Sequence, residues 1–152
     1  MDNQGRIFLF VGSLFGGLGV ILGAFGAHTL KARLALELLA TFETGVRYQI
    51  YHALALLAVA LLYANRPAKG LLTASGWLFV VGTLLFSGSL YALTLSGVRW
   101  FGAITPVGGM AFIIGWFCLA VAGLWSREED ERRVKPKPPS VQSTSNSARI
   151  GV

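Results

Sequence analysis

Four long segments with little or no charge constrain the fold of this chain more than any other feature. They cover residues 7–27, 46–64, 70–98 and 100–125, and only the second contains an Asp, Glu, Lys, Arg or His residue. A helix needs about 20 mostly apolar residues to cross the hydrocarbon core of a bilayer. Charged residues make up 13% of the chain, whereas soluble domains contain about a quarter. The sequence therefore predicts an all-α membrane protein, a bundle of four transmembrane helices.

We expect one transmembrane domain over residues 1–126, with helices at about 7–27, 45–64, 71–95 and 103–125. The first apolar segment is longer than the apolar core of a signal peptide, so we expect the mature protein to retain it. Between the first two helices, Leu30, Leu34 and Leu38 share one helical face and Arg33 and Glu37 the opposite one. This pattern predicts a short helix lying in the membrane interface.

The composition changes after Trp125, where Pro, Ser and charged residues replace apolar ones. Such a segment buries too little apolar surface to offset the entropy lost on ordering. We therefore predict a disordered tail over residues 127–152. Its basic side chains either contact anionic lipid or are simply solvated, and we favour the second interpretation.

The distribution of basic residues predicts the orientation in the membrane. Four helices place both termini on one side, and cytoplasmic loops carry the excess of Lys and Arg. Four basic residues fall on the other side: Lys31, Arg33, Arg47 and Arg99. The side of the termini holds eight: Arg6, Arg66, Lys69, Arg127, Arg132, Arg133, Lys135 and Lys137. We therefore predict that both termini are cytoplasmic.

Small residues recur along two of the predicted helices. They are Gly12, Gly16, Gly19, Gly23 and Gly26 in the first helix, and Gly108, Ala111, Gly115, Cys118 and Ala122 in the fourth. Small residues at these spacings let neighbouring helices approach closely. We expect them to pack helices within the bundle. The alternative is that one stripe forms a dimer face or borders a lipid or substrate groove.

The stretch "TFETGVRYQIYH", residues 41–52, places polar residues directly before an apolar run. The apolar part is too short to span a bilayer, so the second helix has to reach back to about Gly45. The candidate polar cluster consists of Glu43, Arg47, Tyr48, Gln49 and His52, with His28, Ser87, Ser89, Tyr91 and Thr105 as opposing groups.

Two interpretations of this cluster remain open. In the structural one, Glu43 pairs with Arg47 in the favourable i,i+4 order. His52 and Tyr48 then hydrogen-bond to a neighbouring helix, with Ser87, Ser89, Tyr91 or Thr105 as partners. In the functional one, a proton or ligand relay runs from Glu43 through His52, because histidine changes charge near neutral pH. We favour the structural interpretation, and we expect Trp116 only to pack.

The sequence offers no pattern for several other functions. Two His and one Cys lie far apart, so we expect no metal site. We find no phosphate-binding loop, nucleophile elbow or carboxylate pair, and therefore predict no cofactor and no enzymatic activity. The net charge is +6, but the basic residues are scattered and have no stacking surface beside them. We therefore expect no nucleic-acid binding.

Four motifs, in this order, resemble the YgdD/YwdK group of small bacterial membrane proteins, whose eukaryotic relatives are called transmembrane protein 256. They are "GAFGAHTL", "TFETGVRYQIYHALALL", "LLFSGSLYAL" and "ITPVGGMAFIIGW". The resemblance covers about residues 8–125 and implies four helices in a bacterial inner membrane, but no activity. The positions that the motifs carry over are His28, Glu43, Gly45, Arg47, Tyr48, His52, Ser87, Gly88, Ser89, Tyr91, Thr105, Pro106 and Gly108.

These observations favour a non-enzymatic component of the membrane that binds lipid or another membrane protein. The alternative is a small transporter or channel that uses Glu43, Arg47 and His52 as an oligomer. The expected partners are membrane lipids, with a second membrane protein or further copies of the chain as possible additions.

Overall fold

The structure, a computed structural model, describes residues 3–65 and 69–134, with side chains described in 3–63 and 69–124. Those residues form four long α-helices and two short 3₁₀ turns, with no strand among them. The helices are α1 Asn3–His28, α2 Leu36–Asn65, α3 Lys69–Ser96 and α4 Thr105–Val134, and the 3₁₀ turns are Leu30–Ala32 and Arg99–Ala103.

Each of the four helices is long and apolar enough to cross a membrane. The candidate spans are Asn3–Ala32, Leu36–Tyr63, Lys69–Ser96 and Arg99–Leu124. At a rise of 1.5 Å per residue, even the 26-residue span exceeds the bilayer core of about 30 Å. The prediction of an all-helical, multi-pass membrane protein is confirmed.

The helices pack in the order of the chain. α1 packs on α2, α2 on α3, and α3 on α4, while α1 and α4 form no substantial interface within the described residues. The arrangement is therefore a row that is open between α1 and α4, unlike a closed bundle in which the first and last helices are also neighbours. Side chains of α2 also reach α4. Both edge helices leave apolar side chains uncovered, and Phe10 of α1 and Phe117 of α4 are 68% and 67% exposed.

The glycine stripe of α1 lies against α2. A Cβ atom added to Gly19 would come within 2.7 Å of Cγ1 of Ile50, and one added to Gly26 within 3.2 Å of the Phe42 ring. A Cβ atom added to Gly12 would lie 3.1 Å from the Ala53 carbonyl oxygen. There is more room at Gly23, where it would lie 3.5 Å from Val46, and at Gly16, where the nearest atom would be Cβ of Ala53 at 4.0 Å. The absence of side chains thus brings the two backbones together.

The small residues of α4 lie against α3. A Cβ atom added to Gly108 would come within 2.5 Å of the backbone nitrogen of Phe86. Added to Gly115, it would come within 2.8 Å of the Phe79 ring. Gly82 of α3 in turn makes room for the ring of Phe112.

α2 begins nine residues earlier than the sequence analysis expects. The separate interfacial helix predicted there is reduced to the 3₁₀ turn Leu30–Ala32, and residues from Leu36 belong to α2. Leu39, Phe42 and Val46 are each at most 7% exposed and follow one another at helical spacing. This continuous buried face and the lack of a Gly or Pro before Gly45 extend the helix without a break.

α4 extends to Val134, beyond its expected end at residue 125. The stretch "SREEDERRV" is rich in Glu and Arg, which have high helix propensity, and it contains no Gly or Pro. The tail that we expected to be disordered from residue 127 is therefore helical over residues 127–134. The rest of that tail, residues 135–152, lies outside the described residues.

Candidate functional site

The Gln49 side chain joins three helices within the apolar part of the fold. Its Nε2 donates to the carbonyl oxygen of Phe15 in α1 at 2.8 Å. Its Oε1 accepts from the hydroxyl of Tyr91 in α3 at 3.0 Å. Gln49 is only 5% exposed, so both ends of its amide are satisfied where water is excluded. Gln49 and Tyr91 therefore act in helix association.

Gly45 creates a second polar contact between α2 and α3. The Ser87 hydroxyl donates to the Gly45 carbonyl at 2.8 Å. A Cβ atom on residue 45 would lie 2.8 Å from Cε1 of Tyr91, so only glycine admits that ring. The Tyr91 ring also contacts the Phe42 ring, at a centroid distance of 4.9 Å. Ser87 is thus used in packing.

Ser89 and Thr105 join α3 to α4. Their hydroxyl oxygens are 2.8 Å apart, and the Ser89 hydroxyl is also 2.9 Å from the carbonyl of Phe86. Thr105 is the first residue of α4, and Pro106 follows it in the first turn, where proline is tolerated. Ser89 and Thr105 therefore hold the start of α4 against α3. Their side chains form no hydrogen bond with the other described members of the predicted cluster.

His52 has a partner that the sequence analysis did not propose. The Trp116 indole N–H of α4 donates to Nε2 of His52 at 3.2 Å, and Nδ1 of His52 lies 2.7 Å from the Tyr48 carbonyl. An indole nitrogen only donates, so Nε2 accepts and the ring proton sits on Nδ1. The expectation that Trp116 only packs is wrong. The need of a membrane-embedded indole N–H for an acceptor was the available signal.

The imidazole of His52 also stacks on α4. Its ring lies 3.4 Å from the Phe112 ring, centroid to centroid, and the two planes differ by 5°. On the side of α3, the Tyr48 ring stacks on Phe86 with centroids 4.6 Å apart. His52 is 4% exposed, so ring stacking and hydrogen bonds together hold it in one orientation.

These rings border a groove between α2 and α4, which we call the α2–α4 groove, with a volume of about 500 Å³. Its walls are mainly apolar, and its mouth is accessible because Tyr51 and Trp116 are 56% and 48% exposed. It lies between two of the candidate membrane spans. The lining residues are Tyr48, Tyr51, His52, Phe86, Gly109, Phe112, Ile113 and Trp116.

Glu43 and Arg47 border a different, smaller cavity between α1 and α2, which we call the α1–α2 notch. Its volume is about 210 Å³, and its lining residues are Gly23, Gly26, Phe42, Glu43, Val46 and Arg47. Both charged side chains are exposed. Arg47 donates to the Thr44 hydroxyl at 3.2 Å, and within the described residues it forms no ion pair with Glu43.

The structure thus separates the predicted cluster into different sites. His52 and Tyr48 line the α2–α4 groove, Glu43 and Arg47 line the α1–α2 notch, and Gln49 holds helices together. His28 ends α1 as an exposed side chain. Among the described residues, no group of three or more His, Cys, Asp or Glu side chains could hold a metal ion.

Comparison with known proteins gives one family. A family model described as "Protein of unknown function (DUF423)" matches residues 22–109, which include the candidate polar residues of all four helices. The chain is 44% identical over 119 residues to "UPF0382 membrane protein YwdK" of Bacillus subtilis, aligning 78% of this chain with 97% of that protein.

A second relative comes from a different bacterium. "UPF0382 inner membrane protein YgdD" of Escherichia coli K12 is 39% identical over 119 residues, which cover 78% of this chain and 90% of that protein. The resemblance drawn from the four sequence motifs is thereby confirmed. No solved structure matches the chain.

Proposed function

Because this chain belongs to the DUF423 family of membrane proteins, whose description assigns no activity, we propose that it is a non-enzymatic, lipid-binding component of the bacterial inner membrane. The α2–α4 groove holds one hydrocarbon chain of a lipid. The name "inner membrane protein" of the Escherichia coli relative supports this location. The excess of basic residues on the side of the termini supports an orientation with both termini in the cytoplasm.

The observation that carries this proposal is the chemistry of the α2–α4 groove. Its volume of about 500 Å³ falls in the range of about 300–1,000 Å³ that small-molecule sites occupy. Both ring nitrogens of His52 are already hydrogen-bonded, which leaves a wall of mostly aromatic carbon. A hydrocarbon chain in this groove gains dispersion contacts along the rings and leaves both hydrogen bonds of His52 in place.

The rigidity of the walls also supports a lipid chain as the occupant. His52 and Phe112, which both line the groove, are stacked on each other, and the ring of Trp116 is hydrogen-bonded to His52. Side chains held this way cannot collapse to fill the space between α2 and α4. In a bilayer, lipid hydrocarbon is the material that fills such a space.

The test is a substitution that fills the groove with a side chain of the protein itself. Gly109 lines the groove, and a Cβ atom there would be 3.8 Å from the Phe86 ring, which is ordinary van der Waals contact. We expect Gly109→Leu to fold and to occupy the groove. Gly123→Leu is the matched control on the same helix, because nothing lies within 4 Å of a Cβ atom at residue 123.

The measurement is native mass spectrometry of the full chain released from lipid nanodiscs. We expect the wild type and Gly123→Leu to retain one lipid that Gly109→Leu loses. Equal lipid retention by Gly109→Leu, or a wild type released without lipid, would contradict the proposal.

A small transporter or channel is the second candidate. It needs Glu43, Arg47 and His52 to share one path, and the positions of these residues support that less well. Glu43 and Arg47 line the α1–α2 notch, whereas His52 lines the α2–α4 groove. Flux through liposomes that is abolished by His52→Ala in a folded protein would favour this candidate over the lipid-binding component.

A further inference from the structure

We infer that the α1–α2 notch binds the zwitterionic headgroup of a phospholipid with a primary amine, the phosphoethanolamine group. In this assignment Arg47 binds the phosphate and Glu43 accepts hydrogen bonds from the ammonium. The notch is separate from the α2–α4 groove, so this inference does not depend on the proposed hydrocarbon site.

Glu43 and Arg47 line one cavity without pairing with each other. Glu before Arg at i,i+4 is the order that favours an ion pair on a helix. Here Arg47 instead donates to the Thr44 hydroxyl at 3.2 Å, and Glu43 forms no ion pair in the described part of the chain. Both side chains line the notch, so a carboxylate and a guanidinium are each available to an occupant.

The shape of the notch also favours a lipid headgroup as its occupant. Gly23 and Gly26 line the notch from α1, and the recess has a volume of about 210 Å³. The α2 wall is fixed, because Phe42 is fully buried and Val46 is 6% exposed. The notch is therefore a preformed recess whose base is apolar and whose rim carries one negative and one positive group.

The notch lies near the ends of the two helices that form it. α1 ends at His28 and α2 begins at Leu36, so Gly26 and Glu43 lie close to the ends of two antiparallel spans. Arg47 is one helical turn deeper than Glu43, about 6 Å along the axis. Charged side chains at such depths extend toward the headgroups, where phospholipids carry their own charges.

The chemistry of the two groups selects among phospholipids. A guanidinium binds phosphate oxygens through two parallel hydrogen bonds. A carboxylate accepts hydrogen bonds from a primary ammonium, whereas the trimethylated ammonium of phosphatidylcholine has no N–H to donate. A glycerol headgroup has no positive charge for Glu43. The pair therefore fits phosphatidylethanolamine best.

The test compares lipids in one membrane. The full chain is placed in nanodiscs of equal amounts of phosphatidylethanolamine and phosphatidylcholine with matched acyl chains, and the retained lipids are read by native mass spectrometry. We expect the wild type to retain several-fold more phosphatidylethanolamine than phosphatidylcholine. We expect Glu43→Gln to abolish this preference and Arg47→Gln to reduce retention of both lipids at this site.

Glu37→Gln is the matched control. Glu37 is an exposed carboxylate of α2 within two helical turns of Glu43, but it does not line the notch. We expect it to leave the preference unchanged. Equal retention of the two lipids by the wild type, or the same loss of preference in Glu37→Gln, would overturn the inference.

Two further measurements test that the occupant is a membrane lipid and that its headgroup lies in the notch. We expect excess water-soluble phosphoethanolamine to leave the retained lipid in place, and displacement by it would overturn the assignment to a lipid. Gly109→Leu should lower the number of retained lipids without changing the preference between headgroups. A loss of preference in Gly109→Leu would place headgroup selection in the α2–α4 groove and overturn the assignment to the notch.

Discussion

The Tyr91 hydroxyl of α3 donates to the side-chain amide oxygen of Gln49 in α2 at 3.0 Å, while the amide nitrogen holds the Phe15 carbonyl of α1. One glutamine thus connects three of the four helices. Hydrogen bonds between membrane helices contribute about 0.6 kcal/mol on average and up to about 1.7 kcal/mol. This contact lies at the centre of the row, so it contributes to the association of α1, α2 and α3 together.

We predict that Tyr91→Phe destabilises the protein by about 1 kcal/mol, because the buried Gln49 oxygen loses its donor. The measurement is a denaturation titration with sodium dodecyl sulfate in mixed micelles. A double-mutant cycle with Gln49→Leu should show that the two effects are not additive. Tyr51→Phe is the control, since Tyr51 is 56% exposed. Strict additivity in the cycle would contradict a direct contact.

α3 and α4 come into close backbone contact at Gly108. A Cβ atom at this position would lie 2.5 Å from the backbone nitrogen and 2.8 Å from Cα of Phe86. Backbone atoms cannot move aside as the end of a flexible side chain can. We predict that Gly108→Ala destabilises the protein by about 1–3 kcal/mol, the usual range for overpacking.

Gly123→Ala in the same helix is the control for helix propensity, because its surroundings leave 4 Å of open space. We expect Gly123→Ala to be neutral or slightly stabilising, because alanine has a higher helix propensity than glycine. Both variants are compared in the same detergent titration. Equal stability of the two would show that α3 and α4 are not in close backbone contact at Gly108.

The sequence predicts the four spans well because hydropathy is a local property of about 20 consecutive residues. It does not predict which groups meet between helices. We expected a serine, threonine or tyrosine of α3 or α4 to bind His52, but the partner is Trp116, 64 residues away in the chain. That pairing depends on the register of α2 against α4, which no local pattern encodes. The same applies to the Phe15 carbonyl that binds Gln49.

The early start of α2 has a different origin. Leu34 and Leu38 fit an interfacial helix as well as the first turns of a longer one, because both structures have the same period. The burial of Leu39 and Phe42 against α1 decides between them. Likewise, the i,i+4 spacing of Glu43 and Arg47 indicates an ion pair, whereas the structure gives Arg47 the Thr44 hydroxyl.

We predict that His52 carries its ring proton on Nδ1. Trp116 donates to Nε2, which therefore accepts, and Nδ1 donates to the Tyr48 carbonyl at 2.7 Å. Solid-state nitrogen NMR of histidine-labelled protein in bilayers distinguishes the two tautomers, with His28→Gln used to remove the other histidine. A protonated Nε2 in the wild type would contradict the hydrogen bond from Trp116.

A second test removes the indole N–H of Trp116, which donates to Nε2 of His52. Trp116→Phe should shift the Nε2 resonance of His52 to the position of an imidazole nitrogen without a donor. Trp77→Phe is the control, because Trp77 contacts Phe8 instead of His52. If both substitutions leave the Nε2 resonance unchanged, Trp116 does not bind His52 in the bilayer.

The orientation of the chain is the last prediction, and it follows from the eight basic residues on the side of the termini against four on the other. In a Cys118→Ser background, Asn3→Cys and Ala103→Cys place one thiol at each of the two opposite ends of the spans. We expect a membrane-impermeant maleimide to label residue 103 in intact spheroplasts and residue 3 only after the membrane is opened. The opposite pattern would put both termini outside and would place the α1–α2 notch among the headgroups of the cytoplasmic leaflet.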